Sequence, residues 1–169
     1  MLRTLTMEIS ASASAIVPCH PVVAWEFVAG LDPTVYYPAY GPLPAVVGVR
    51  DQTGDWLSAG QERTLLLSDR GHVVERLTDT RSPNAFVYEL NNFQRLFGRL
   101  VSGGRADWRF DRVGHATRIV WEYSFRPLGG RGWVVAAIVR LAWAPYMRRV
   151  IRRIAADISD ENTEENTEG

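Results

Sequence analysis

At 169 residues the chain is long enough for a full hydrophobic core, and its length argues for one domain. Apolar residues make up 46% and charged residues 22%, and 19 Arg without a single Lys balance 19 acids, a composition with no strong nucleic-acid footprint. One cysteine, Cys19, excludes an internal disulfide framework, and His20, His72 and His115 have no ligand spacing that would make a structural zinc site.

The lone thiol suits a reducing compartment. Ala11-Ser12-Ala13 looks like a signal-peptidase site, but Glu8 sits where an apolar leader should be. Arg140 interrupts the best apolar window before it reaches the ~18 residues of a membrane span. These features together predict a cytoplasmic protein.

Along the chain, Glu8–Val17 alternates small and polar residues at period two and reads as a strand. Pro21 suits the first position of a short amphipathic helix that carries Trp25, Phe27 and Val28 and closes at Gly30. Asp32-Pro33 starts a second short helix or turn with Tyr36, Tyr37 and Tyr40, and Gly41-Pro42-Leu43-Pro44 ends it. Six strands follow on turn signals: Ala45–Asp51, Gln61–Leu67, Val73–Thr80, Ala85–Asn91, Ala106–Asp111 and Thr117–Phe125. Asp69-Arg70-Gly71, Ser82-Pro83-Asn84, Ser102-Gly103-Gly104 and Val113-Gly114-His115 are the turns, and hairpin spacing implies one antiparallel sheet.

After Arg126-Pro127-Leu128-Gly129-Gly130 a helical pattern spans Gly132–Ser159, with Pro145 placed to kink it. Residues 160–169 repeat Glu-Asn-Thr-Glu in tandem without an apolar residue, so a disordered acidic tail is expected after one domain at 1–159. The element order predicts an α+β architecture: a curved antiparallel sheet gripping a long C-terminal helix, with a cavity between them and two short helices after strand 1.

With that order in place, the chain resembles the SRPBCC or START-like helix-grip superfamily, in its polyketide cyclase/dehydrase and lipid-transport group. The resemblance covers residues 7–158. It rests on Val17-Pro-Cys-His-Pro-Val-Val-Ala-Trp25, Gly60-Gln-Glu-Arg63, Val74-Glu-Arg-Leu77 and Trp121-Glu-Tyr-Ser-Phe-Arg-Pro127. These are signatures of fold and not of catalysis, so the resemblance implies carriers, sensors, cyclases or chaperone cofactors alike. Ala24, where a Val-like residue is usual, and Pro145 inside the grip helix depart from the pattern.

Strand periodicity assigns the inward face independently. Phe86, Tyr88 and Leu90 share one side; Leu65 and Leu67 take Arg63 with them; Val73 and Leu77 take Glu75. Trp108 and Phe110 face in, as do Ile119, Trp121, Tyr123 and Phe125. Such a wall, aromatic with two charges, suits a ligand pocket; the same rings would equally fill a core, and Arg63 and Glu75 would equally form a buried structural pair. On the terminal helix Met147, Val150, Ile151, Ile154 and Ile158 form an apolar stripe. Extended through the kink, its direction contains Trp143 and Arg140, which puts Arg140 among the ligand-binding candidates, towards the cavity or its mouth, with extension to solvent as the alternative.

Three functions compete. The first is binding of an apolar or polycyclic small molecule, with no cofactor, no metal and no dedicated nucleophile. The second is an aromatase/cyclase-type enzyme closing rings on a polyketide-like chain, with Glu75 as base, Arg63 as oxyanion partner, and Tyr88 or Tyr123 as proton relay. The third, ranked last, is contact with a membrane surface through Trp133, Trp143, Tyr146 and the following Arg cluster, because a grip helix needs that apolar face for its own sheet.

Overall fold

A computed structural model describes residues 7–167. The first strand, β1 (Ile9–Val17), runs into α1 (Pro21–Gly30), where Pro21 opens the helix and the His20 ring accepts from the Val22 amide. Asp32 caps α2 (Pro33–Tyr36), its carboxylate accepting from the Thr34 amide at 2.9 Å. Then come β2 (Val46–Arg50), β3 (Glu62–Leu67), β4 (His72–Arg81) and β5 (Ala85–Asn91). A short helix α3 (Arg95–Gly98) precedes the two longest strands, β6 (Val101–Val113) and β7 (Ala116–Pro127).

All seven strands form one antiparallel sheet in the order β1-β7-β6-β5-β4-β3-β2. The chain closes with α4 (Gly132–Ile138), a π-helical turn (Val139–Trp143) and α5 (Ala144–Thr167). This is the expected α+β helix-grip architecture.

Four features differ in detail from the sequence reading. Ser102-Gly103-Gly104 is not a turn but the start of β6, where the register shifts between Val101 and Gly103. The true turn is the Phe93–Gly98 segment around α3, which carried no Pro or Gly cluster to announce it. Pro145 is absorbed by a π turn just before it: a proline has no N–H for the residue four back, and the longer π loop accommodates the missing bond. The acidic segment expected to be disordered is helical as far as Thr167, with Asn162 donating to the Pro18 carbonyl at 3.0 Å; positions 168 and 169 lie outside the described residues.

The helix lies against the sheet because both surfaces are shaped for it. On β1, Ala13 points into the core with Ala11 and Ala15 packed beside it, so the helix backbone approaches closely. Met147, Val150, Ile151, Ile154 and Ile158 are all at most 2% exposed. Trp25 of α1 plugs one end of the sheet, its ring edge-on to Phe86 and its indole N–H directed to the Ala85 carbonyl. Truncating this stripe opens a cavity that a close-packed interior cannot refill. Ile151→Ala and Ile154→Ala are each expected to lower unfolding free energy by about 2–5 kcal/mol, measured by urea denaturation. A loss under ~1 kcal/mol at both would show that the stripe is not core.

Candidate functional site

The site is created by a gradient of side-chain size along β6. Its inward positions read Phe110, Trp108, Ala106 and Gly104, two large residues followed by two small ones. Register sets each against neighbours on β5 and β7. Phe86, Trp108 and Trp121 form a continuous stacked row, with Trp108 and Trp121 at 4.8 Å and 10° between planes. In the next row Ala106 stands between Tyr88 and Tyr123, and in the next Gly104 stands between Leu90 and Phe125. A Cβ at Gly104 would lie 3.4 Å from the Tyr123 ring and 3.1 Å from the Ser124 carbonyl oxygen. The Trp108 end is therefore filled by stacked rings, whereas Ala106 and Gly104 let the flanking rings of Tyr88, Tyr123 and Phe125 lie low on the sheet, and it is above those rings that this end stays hollow.

The hollow end is a cavity of about 90 Å³. Its sheet wall is Leu65, Leu67, Val73, Glu75, Tyr88, Leu90, Trp121, Tyr123 and Phe125. Trp143 from the π turn and Tyr146 from α5 close the helix side. Tyr37, Leu43, Pro44 and Val46 cover it from the α2–β2 segment, and Asp69, Phe93, Gln94 and Phe97 line the outer end. Asp69 and Gln94 are exposed, which marks this end as the mouth.

Of the residues assigned to the site from sequence, Leu65, Leu67, Tyr88, Leu90, Trp121, Tyr123 and Glu75 line the cavity. Phe86, Trp108 and Phe110 face inward but belong to the filled end, packed on one another and on Trp25. Arg140 is a correction: it is exposed on the outer side of the π turn, away from the cavity. Trp143 and Tyr146, grouped with Trp133 as a membrane face, instead line the cavity, and only Trp133 is outside.

The cover contributed by Tyr37, Leu43, Pro44 and Val46, and the rim contributed by Phe93 and Phe97, went unassigned. The Phe93–Phe97 spacing of four and the Tyr36-Tyr37-Tyr40 run were visible, but neither says which way a short segment folds over a sheet.

Arg63 and Glu75 are register partners on β3 and β4, and the Arg63 Nε donates to Glu75 Oε2 at 2.7 Å with side chains 8% and 3% exposed. Arg63 does not line the cavity. It stands behind Glu75, its guanidinium 4.1 Å from the ring centroid of Trp56. Trp56 reaches this position from the β2–β3 loop with φ +64, a backbone conformation uncommon for a bulky residue. Burial by itself would lower the Arg63 pKa; the adjacent Glu75 outweighs it and the net shift is upward.

Burial also raises the pKa values of Tyr37, Tyr88 and Tyr123, and the negative charge of Glu75 raises them further. Burial does the same for Tyr146. All four are neutral phenols near neutral pH, able to donate or accept hydrogen bonds but not to act as phenolate bases. Trp121 and Trp143 add indole N–H groups that are buried without a hydrogen-bond partner among the described residues. Also among the described residues, no group of three His, Cys, Asp or Glu side chains is placed to hold a metal ion.

The comparisons agree with this geometry. Residues 8–159 match the family described as polyketide cyclase / dehydrase and lipid transport. The chain belongs to that family. No curated protein sequence matches it. Among solved structures, norcoclaurine synthase from Thalictrum flavum, a point mutant in complex with a transition-state analogue, superposes with a TM-score of 0.69 at 9% identity, over 95% of this chain and 99% of that one. Ara h 8.0201 gives 0.62 at 9% identity over 90% and 98%, and a protein from Arthrobacter aurescens 0.61 at 14% over 89% and 86%. At such identities these likenesses show a shared fold alone.

Two measurements probe the polar groups of this family member. Removing one partner of a buried ion pair leaves a charge unpaired, so Arg63→Gln and Glu75→Gln are each expected to cost about 3–5 kcal/mol, with much of it recovered in the double variant. Additive losses in the denaturation cycle would show that the two groups are not coupled. The tyrosines give a pH dependence. With folded pKa values raised above the usual ~10, they contribute stability that is complete below pH ~10 and lost as pH rises through the folded values. Tyr36, pushed up to about 12 by burial and by its hydrogen bond to Asp157, adds to the same alkaline loss. Phenolate absorbance from these five tyrosines is expected to appear together with loss of near-ultraviolet circular dichroism; a still-folded protein with all five ionised would contradict the assignment.

Proposed function

We propose that the protein binds a neutral, planar, hydrophobic small molecule carrying at least one oxygen, in the cavity between the sheet and the C-terminal helix, as a carrier or sensor. The observation that supports this reading is the cavity itself, walled by apolar and aromatic side chains of the sheet, the π turn and α5 where a core would otherwise close. Aromatic faces of Trp121, Tyr123, Phe125 and Trp143 suit a planar ring system. Glu75 is already matched by Arg63, so a second cation would meet the guanidinium behind it; a neutral ligand is favoured over a charged amine. An oxygen on the ligand would find neutral phenols to hydrogen-bond, Tyr37, Tyr88, Tyr123 and Tyr146 all lining the cavity.

The second reading is ring closure on a polyketide-like chain in the same cavity. It is favoured by one grouping: a carboxylate on the cavity wall with three neutral phenols, Tyr37, Tyr88 and Tyr123, in its electrostatic reach. Glu75 would take a proton from the acidic carbon between two carbonyls while a phenol donates to the enolate oxygen. Arg63, behind Glu75 and off the wall, would position the carboxylate and not touch the substrate. The same fold is found in norcoclaurine synthase, a protein named as a synthase and seen with a transition-state analogue bound to a point mutant, so it can house an enzyme.

Calorimetric titration with naphthol tests the binding reading. Saturable binding is expected, and Ala106→Leu, which would push the flanking Tyr88 and Tyr123 side chains up into the cavity, is expected to weaken it by at least about tenfold. Absence of binding in the parent protein, or undiminished binding in Ala106→Leu, would sink the proposal. Glu75→Gln separates the two readings. In a carrier it changes affinity for a neutral ligand by less than about tenfold; in a cyclase it leaves binding intact and lowers turnover by roughly 10²–10⁴.

A further inference from the structure

The helix that covers the cavity has a second face, and its composition is unlike that of an inert surface. Trp133 and Leu141 are 76% and 74% exposed, more than any other large hydrophobic residue among those described. They lie eight residues apart along α4 and the π turn, a span of about 12 Å. Arg140, Arg148, Arg149 and Arg152 are exposed on the same helix, which continues unbroken into α5. No acidic residue occurs between positions 123 and 156. Among the described residues, none of these four Arg side chains forms an ion pair, whereas Arg50, Arg63, Arg76, Arg81, Arg105, Arg109 and Arg126 each do.

At the foot of this face an open groove of about 190 Å³ is lined by Arg148, Arg152, Ile151 and Ser14 of the edge strand β1. Arg152 Nε donates to the Arg148 carbonyl at 3.1 Å, which fixes one guanidinium beside the next turn. Two like charges one turn apart repel and destabilise a helix. An anion between them reverses the sign, and the Ser14 hydroxyl is the neutral donor in the same groove. Arg153, by contrast, is engaged elsewhere, donating to the Val35 carbonyl at 2.8 Å and lying over the Tyr36 ring.

We propose that this outer face docks on an anionic membrane surface, with Trp133 and Leu141 entering the interface and Arg148 and Arg152 holding a lipid phosphate. Exposed Trp and Leu beside unneutralised Arg, on a helix already secured by its other face, is the pattern that lies in the plane of a headgroup layer. No helix among the described residues is long and apolar enough to cross a membrane, so the contact is peripheral. The face covers the cavity on its reverse side, where Trp143 and Tyr146 form the wall. Docking would therefore set an apolar site one helix thickness from the lipid.

Vesicle flotation tests this on the unliganded full chain, so the result is independent of what the cavity binds. Binding to phosphatidylcholine vesicles containing about a third phosphatidylglycerol is expected to exceed binding to phosphatidylcholine alone by at least about tenfold, and to disappear near ~1 M salt. Trp133→Ser with Leu141→Ser, and separately Arg148→Gln with Arg152→Gln, should each reduce binding by about tenfold with an unchanged melting temperature, since all four side chains are exposed. No binding to the anionic vesicles, equal binding to neutral ones, or parental binding by either double variant would overturn the proposal.

Discussion

Everything distinctive in this protein depends on how far the long helix is held from the sheet, and that distance is set unevenly. At one end, the rings of Phe86, Trp108, Trp121 and Phe110 stack across the strands and are sealed by Trp25. At the other, Ala106 and Gly104 bring no volume to the same layer. The rings that flank them, Tyr123 and Phe125, settle into that space so closely that a Cβ at Gly104 would crowd them, and the cavity opens above their faces. Small residues on β6 thus set how low the aromatic floor of the cavity lies.

Into this apolar void the sheet places a carboxylate, which would be too costly unless matched. The match is arranged away from the cavity: Arg63 reaches Glu75 from the neighbouring strand and is itself backed by Trp56. The pair is neutral as a unit, yet only its acidic half faces the cavity. Burial is the larger cause of the phenols' upward pKa shifts; the Glu75 charge adds to it at Tyr37, Tyr88 and Tyr123, and at Tyr37 the more distant Arg63 offsets only part of that. The hidden Arg63 thus shapes the chemistry of a space it does not touch.

How much of this could be read beforehand follows from the range of each interaction. The inward faces of β3 to β7 were legible because pleat parity is local: Tyr88 and Trp121 point where alternation places them. The pairing of Arg63 with Glu75 was legible as soon as two inward charges fell on adjacent strands. The hollow end was not, because Gly103 and Gly104 read as a turn signal although they lie within a strand, and only the register against Tyr123 and Phe125 shows what their small size does. Tyr37, Phe93 and Phe97 were missed for a related reason. They sit on segments of four residues or in loops, where no periodicity exists and the final position depends on contacts distant in sequence. Arg140 misled because the apolar stripe was extended through Pro145 at an α-helical pitch, and the π turn changes the phase there.

That change of phase also explains how one helix serves two surfaces. Within five residues the π turn carries Val139, Ala142 and Trp143 toward the sheet or the cavity and Arg140 and Leu141 outward. A regular apolar helix in this position would be ambiguous, since Trp133 to Ala144 is hydrophobic nearly all round apart from Arg140. Proline 145 removes that ambiguity by forcing the irregularity to occur at one place. The Ile and Met stripe beyond it can then dock on β1 and fix the rotation of everything before it. Rotation fixed from the α5 side leaves Trp143 against Tyr123 and Phe125, with ring centroids at 4.7 and 5.2 Å, and leaves Leu141 without a place in the core. The exposed apolar residues of this helix are therefore what remains once the cavity wall has been satisfied, and the cationic residues around them determine what kind of surface can meet them.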